Sequence, residues 1–181
     1  MKHITLITFS LIFSSFNIIA QDPSNTGQAR NELKANASNL IAFSFADFSY
    51  ERLLNEESGL GIAILFNVDQ SDDGDFLDAY REFSITPYYR QYFSRSFAKG
   101  FFVEGFGMLN TGTDSDFFGP DEVVTDNTYT DFALGVSIGG KFVTRRGFTV
   151  ECYGGLGRNL LDAVYSPEVV GRGGVSLGYR F

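Results

Sequence analysis

The chain ends on the stretch VVGRGGVSLGYRF, residues 169–181, and this stretch decides the fold. From Val175 onward, apolar side chains alternate with residues that are polar or have no side chain, up to the final Phe181. Alternation with a period of two predicts a β-strand with one apolar face. Because the last residues of most domains fray, so regular a strand at this position indicates that the terminus is built into a sheet.

The composition of the whole chain points the same way. Its 181 residues include 20 Phe, 9 Tyr and 20 Gly, but no Trp and only 4 Pro. Aromatic side chains suit the pleated surface of a sheet, and glycine tolerates bends and close approach between strands. We therefore predict an all-β domain.

Alternating segments divide the chain into eight predicted strands. The first two lie within residues 32–54 and are joined by a tight turn near residues 42–46. The other six are expected at residues 60–68, 83–93, 101–109, 129–144, 148–160 and 169–181. The last strand should close against the first one near residues 33–40.

The predicted connections alternate in length after the first hairpin. Short turns follow the second, fourth and sixth strands, whereas acidic segments at residues 69–82 and 110–128 and a medium loop at 161–168 follow the third, fifth and seventh. This asymmetry is typical of transmembrane barrels, which have short periplasmic turns and longer external loops. The sequence thus predicts an eight-stranded antiparallel up-and-down transmembrane β-barrel over residues 32–181.

The start of the chain predicts export. Residues 1–20 have a short polar start, an apolar run and a small residue, Ala20, which fits a secretory signal peptide cleaved near that position. Residues 21–31 are polar and are expected to form a flexible lead-in. The predicted location is the outer membrane of a bacterium. His3 is the one histidine of the chain and would leave with the signal peptide, so histidine-dependent catalysis is not expected.

The polar faces of the strands carry balanced charges. If the apolar faces contact lipid, these side chains point into a lumen that they must fill, and buried charges must pair. We therefore expect a salt-bridge network that plugs the barrel, with Arg172 and Arg180 directed toward acids such as Glu51. The predicted lumenal charge network consists of Glu51, Arg90, Glu104, Asp131, Lys141, Glu151, Arg172 and Arg180.

The net charge and the sequence motifs argue against several classes of partner and ligand. The chain has 22 acidic against 14 basic side chains, which argues against nucleic acid as a partner. GVSIGGKF at residues 135–142 departs from a phosphate-binding loop at Phe142, and the acidic segment has Tyr80 where a calcium loop needs Glu. No cofactor and no metal site are expected. The expected partners are outer-membrane lipids, and the protein is expected to be a monomer with acidic loops at the cell surface.

The sequence is compatible with three alternatives. A soluble periplasmic, lipocalin-like barrel would turn the apolar faces inward. A barrel that binds or passes a small solute would need polar space in its lumen. An enzyme would need a carboxylate mechanism such as Glu104 with Glu151, although arginines on the same face favour ion pairing.

Six segments together resemble a family of small bacterial outer-membrane β-barrel proteins of uncharacterised function, eight-stranded like the OmpA transmembrane domain. The segments are NLIAFSFADFSYERLL, FSITPYYRQYF, FFVEGFG, GGKFVTRRGF, GGLGRNL and GRGGVSLGYRF, and the resemblance covers residues 32–181. It implies an outer-membrane barrel and supplies no catalytic residues. It also implies that the C-terminal Tyr179 and Phe181 act as an assembly signal for the barrel-assembly machinery.

Overall fold

The computed structural model describes residues 29–68, 81–94, 96–115, 126–161 and 166–181. Residues Arg30–Arg180 form one compact unit, a closed barrel in which each strand pairs antiparallel with its two neighbours and the last strand pairs with the first. The strands are β1 (Asn31–Asn36), β2 (Phe45–Leu53), β3 (Ser58–Asn67), β4 (Arg81–Tyr92), β5 (Gly100–Ser115), β6 (Asp126–Val143), β7 (Phe148–Asn159) and β8 (Val169–Arg180). The predicted eight-stranded antiparallel up-and-down barrel is confirmed.

Alternation along each strand separates two environments. On β4 the buried Tyr88, Arg90 and Tyr92 point inward, whereas Phe83 and Tyr89 are exposed on the outer surface. The other strands follow the same rule, so the outer surface carries large apolar side chains around the ring. Among them are Leu33, Tyr50, Leu60, Ile62, Phe101, Val136, Ile138, Phe142, Leu156, Leu177 and Tyr179.

The two ends of the barrel differ. Short turns at residues 54–57 and 144–147 and the short connection between β4 and β5 lie at the end where β1 begins and β8 ends, called here the turn end. The opposite end, the loop end, holds the connection between β1 and β2 and the ends of the three other hairpins. The acidic segments at residues 69–80 and 116–125 lie outside the described residues.

The first connection differs from the prediction. Residues Ala37–Ala42 form a short helix, α1, instead of continuing the first strand into a tight turn near residues 42–46. Asn36 ends β1 and caps α1, because its side chain accepts a hydrogen bond from Asn39 N at 3.2 Å. The first strand therefore stops at Asn36, and Leu40 is not part of it. Among the described residues, no helix is long and apolar enough to cross a bilayer.

The fifth and sixth strands are longer than predicted. Their pairing runs without interruption from Gly100 opposite Lys141 to Ser115 opposite Asp126, so the predicted loop at residues 110–128 was wrong at both ends. Likewise β4 begins at Arg81, inside the acidic segment predicted as a loop. These extensions have no continuous apolar face, and backbone hydrogen bonds maintain the pairing there.

Glycines facing the interior make room for aromatic rings. A Cβ at Gly61 would lie 2.3 Å from Cζ of Tyr88, and one at Gly135 would lie 2.3 Å from Cζ of Phe106. Gly61 lies directly opposite Tyr88 on the neighbouring strand, and Gly135 lies directly opposite Phe106. Each ring thus packs against the bare backbone of the adjacent strand. The narrow barrel is filled in this way by large side chains.

Candidate functional site

Glu51 on β2 is the centre of a buried group of charges. Its Oε2 accepts from Lys34 Nζ at 2.7 Å, from Lys141 Nζ at 3.0 Å and from Arg90 Nη1 at 3.2 Å. Its Oε1 accepts from the hydroxyl of Tyr92 at 2.5 Å, and that hydroxyl also contacts Lys141 Nζ. One fully buried carboxylate therefore meets three cations and a phenol.

Two further glutamates share Arg90 with Glu51. Glu151 on β7 accepts from Arg90 Nη1 at 2.8 Å and from Lys34 Nζ at 3.0 Å. Glu104 on β5 accepts from Arg90 Nη2 at 2.7 Å and from Arg172 Nη1 at 2.7 Å. Arg90 thus connects all three glutamates, which lie on strands that are not adjacent to one another in the ring.

The turn end of the interior is closed by Arg180 on β8. Its guanidinium donates to Glu32 Oε1 at 2.6 Å and to the carbonyls of Phe97 and Ala98 in the turn between β4 and β5. Glu32 also accepts from Lys141 at 2.6 Å, so this end is joined to the central charges.

Aromatic rings surround the cations. The Arg90 guanidinium lies 3.9 Å from the centroid of the Phe102 ring, and that of Arg172 lies 4.9 Å from the centroid of the Tyr88 ring. Such contacts favour a cation that has lost its water shell. The interior at this level is thus occupied by ion pairs and rings.

The structure brings seven of the eight predicted lumenal charges together. With Glu32 and Lys34, which the sequence analysis missed, they form what we call the ion-pair cluster: Glu32, Lys34, Glu51, Arg90, Glu104, Lys141, Glu151, Arg172 and Arg180. The sequence does contain a signal for these two residues. In NELKAN, residues 31–36, Glu32 and Lys34 alternate with Leu33 and Ala35.

Two details of the predicted network differ from the structure. Asp131 is buried but lies nearer the loop end, where it accepts hydrogen bonds from Leu161 N at 3.0 Å and Ser166 Oγ at 2.7 Å, and the ion pairs of the cluster do not include it. Arg172 points inward toward an acid, but that acid is Glu104 and not Glu51, which the prediction named as an example. Both differences concern the position of a residue along the barrel axis. Alternation predicts only which face of the strand a side chain lies on.

A cavity of about 450 Å³ lies on the loop-end side of the ion-pair cluster. Its lining includes Phe45, Ala63, Leu65 and Met108, together with a glycine-rich part of β7 and β8. Arg172 also lines it, so this residue belongs to both the cluster and the cavity. Within the described residues, no group of three or more His, Cys, Asp or Glu side chains is placed to hold a metal ion.

Comparison with known proteins shows a likeness of fold. No model of a known protein family matches the chain, and no curated protein matches it. Among solved structures, the N-terminal β-barrel domain of Pseudomonas aeruginosa OprF matches with a TM-score of 0.59 at 13% identity, over 86% of this chain and 99% of that one. The chain therefore has the fold of the OprF and OmpA type of eight-stranded barrel. The resemblance inferred from the sequence is confirmed at the level of fold.

Proposed function

We propose that this chain is a non-enzymatic outer-membrane β-barrel protein whose lumen is plugged by the ion-pair cluster, with a structural or surface-interaction role. The observation that carries the proposal is the polarity of the barrel, which has charges inside and apolar side chains outside. A soluble lipocalin-like barrel has the opposite arrangement, with its apolar faces inward.

The outer surface needs an apolar environment. Val136 and Phe142 are 64% and 76% exposed, and similar side chains occur on every strand of the ring. Covering one such side chain is worth about 1.5–3 kcal/mol, so a whole ring of them in water would be strongly unfavourable. The hydrocarbon core of a bilayer would cover them all at once.

Aromatic side chains support the orientation. Near the turn end, exposed rings on the outer surface belong to Tyr89, Phe93, Phe101, Phe148 and Tyr179. Transmembrane barrels have aromatic girdles at the membrane interfaces and short turns on the periplasmic side. This arrangement favours a periplasmic turn end, with the acidic segments at the cell surface.

The proposed plug explains the buried carboxylates of the barrel without assigning them a catalytic role. Glu104 and Glu151, the pair considered for a carboxylate mechanism, both accept hydrogen bonds from Arg90. Salt-bridged carboxylates that are held deep inside the barrel have a structural explanation. Nine charged side chains and the rings beside them occupy the interior at this level, which supports a lumen without a wide aqueous path.

The remaining parts of the proposal concern delivery and assembly. A signal peptide cleaved near Ala20 would direct the chain across the inner membrane. Phe181 follows the last residue of β8 and is 52% exposed, so it is available as an assembly signal together with Tyr179. The proposed partners are outer-membrane lipids and the barrel-assembly machinery, and the protein would work as a monomer.

Two measurements test the proposal. After refolding into phosphatidylcholine vesicles, the protein should float with the lipid through a urea wash, and the unboiled protein should migrate faster than the boiled protein on a denaturing gel. A protein that stays in the aqueous fraction would contradict membrane insertion. In planar bilayers we expect no stable large open state; such a state would contradict the plug but not the insertion.

A further inference from the structure

The cavity at the loop end of the interior has the properties of a small-molecule site. Its volume of about 450 Å³ lies within the range of about 300–1,000 Å³ that is usual for such sites. Phe45, Ala63, Leu65 and Met108 provide an apolar lining. The cavity lies next to the ion-pair cluster, with which it shares Arg172.

Arg172 contributes a positive charge to the lining of this cavity. Its side chain is 8% exposed, and its described hydrogen bond runs from Nη1 to Glu104 Oε1 at 2.7 Å. A guanidinium carries five N–H donors, so most of its donors have no protein acceptor among the described residues. Arg172 lines the cavity, and an anionic oxygen group of a ligand could accept from it there.

The other charged side chains at the cavity are engaged with the protein. Asp47 accepts from the amides of Asn36 and Asn39 at 3.0 and 2.9 Å through Oδ2. Arg81 donates to the carbonyl of Gly171 and to Met108 Sδ, both at 3.0 Å. Arg172 is therefore the group best placed to receive an anion, and the negative charge of Asp47 would oppose that binding.

One wall of the cavity is formed by side chains instead of a paired strand. The pairing of β1 with β8 ends at Asn36 opposite Ser176, although β8 begins at Val169. Beyond that point Asn36 Nδ2 donates to Gly173 O at 3.0 Å, and Ser38 Oγ accepts from Val175 N at 2.8 Å. Among the described residues, this wall therefore has side-chain hydrogen bonds where a ladder of backbone hydrogen bonds between β1 and β8 would otherwise continue.

We propose that this cavity binds a small amphipathic molecule in which an anionic oxygen group contacts Arg172 and an apolar chain lies against Ala63, Leu65 and Met108. The class includes medium-chain carboxylates. Binding of such a molecule can be measured in detergent micelles, so the test does not require insertion of the barrel into a bilayer. A negative result for binding would therefore leave the conclusions from the vesicle and conductance measurements unchanged.

Met108 offers a direct reporter. The chain has two methionines, Met1 and Met108, and the second is 1% exposed and lines the cavity. With methyl-¹³C methionine, the Met108 signal can be identified by comparison with a Met108→Leu variant. Titration with sodium octanoate should shift that signal in a saturable manner, whereas sodium acetate and octanol at the same concentrations should produce much weaker binding.

Three variants sharpen the experiment. Arg172→Gln should weaken octanoate binding about tenfold or more, because a charge-assisted hydrogen bond is lost. Folding should survive this change since Glu104 keeps its contact with Arg90. Ala63→Leu should block the cavity, whereas the same change at Ala35, which is exposed on the outer surface, should leave binding unchanged. Circular dichroism and the gel shift check that each variant is folded.

Three results would overturn the inference. The Met108 signal could fail to move at millimolar octanoate, octanol could bind as tightly as octanoate, or Arg172→Gln could bind octanoate with wild-type affinity. Asp47→Asn provides an independent check, because removing the opposing charge should tighten binding of octanoate and not of octanol. Weaker binding of octanoate to that variant would also contradict the assignment.

Discussion

Lys141 on β6 and Glu51 on β2 form an ion pair across the interior, with Nζ 3.0 Å from Oε2. These strands are four positions apart in a closed ring of eight, so the two side chains come from opposite walls. Arg90 and Lys34 contact the same oxygen from two other strands. A single carboxylate therefore ties four strands together at the barrel axis, which is the structural basis of the proposed plug.

Removing the charge of Glu51 should destabilise the barrel severely. In Glu51→Gln, Lys34, Arg90 and Lys141 each lose an anionic partner in a fully buried site, and breaking a buried pair costs about 3–5 kcal/mol. The free energy of unfolding can be measured by urea titration in vesicles. The control is Glu168→Gln, which breaks an exposed pair with Arg158 and should cost about 0–1 kcal/mol. Equal losses in the two variants would contradict this account.

The hydroxyl of Tyr92 should make its own contribution to the free energy of unfolding. It donates to Glu51 and accepts from Lys141, so Tyr92→Phe should cost about 1.5–3 kcal/mol, the range for hydrogen bonds to charged groups. Tyr89→Phe removes an exposed hydroxyl that contacts Gln91, and we expect little change in the same urea titration. Wild-type stability in Tyr92→Phe would show that the contact is energetically unimportant.

The close packing of Tyr88 on Gly61 predicts a position-dependent effect of alanine. Gly61→Ala would place a Cβ 2.3 Å from the Tyr88 ring and should cost about 1–3 kcal/mol through overpacking. Gly105→Ala adds the same methyl group on the outer surface, where nothing lies within 4 Å. Unfolding measured by circular dichroism should show little loss, or a small gain, for Gly105→Ala. The reverse order would refute the packing described for the interior.

Deleting Phe181 separates assembly from stability. Because β8 ends at Arg180, the deletion removes no residue of a described strand pair. The deleted protein should refold in vitro with nearly wild-type stability, but its amount in bacterial outer membranes should fall, as measured by fractionation and blotting. Substituting Phe181 by Tyr, which keeps an aromatic terminus, is the control. Unchanged membrane levels after the deletion would count against the role of this residue as an assembly signal.

The sequence predicted the fold because alternation in a barrel is a local property. It placed Arg90, Glu104 and Lys141 on the inner face correctly, since each follows the period of two within a long strand. It failed at the first hairpin, where β1 has only six residues and gives a weak signal. It also failed for the extensions of β5 and β6, because strand segments with two polar faces have no distinguishing alternation.

Which charges meet one another could not be predicted. Pairing between Arg172 and Glu104, or between Arg180 and Glu32, depends on the stagger of strands around the ring, which fixes the height of each residue along the axis. Asp131 illustrates the limit, because its inward direction was right and its place in the network was wrong. The cavity also required the structure, since it depends on the termination of β1 at Asn36 and on glycines of two strands.

The most direct test of the central claim, a barrel that crosses the membrane with its apolar surface in lipid, uses the absence of tryptophan from the chain. A single tryptophan is introduced at Ile62, on the outer surface of β3, or at Arg146, in a turn between β6 and β7. In vesicles of lipids brominated at the middle of the acyl chain, fluorescence of the Ile62→Trp protein should be strongly quenched, and that of Arg146→Trp should be nearly unaffected. Absence of quenching at Ile62, in a folded protein that is mixed with these vesicles, would contradict the account.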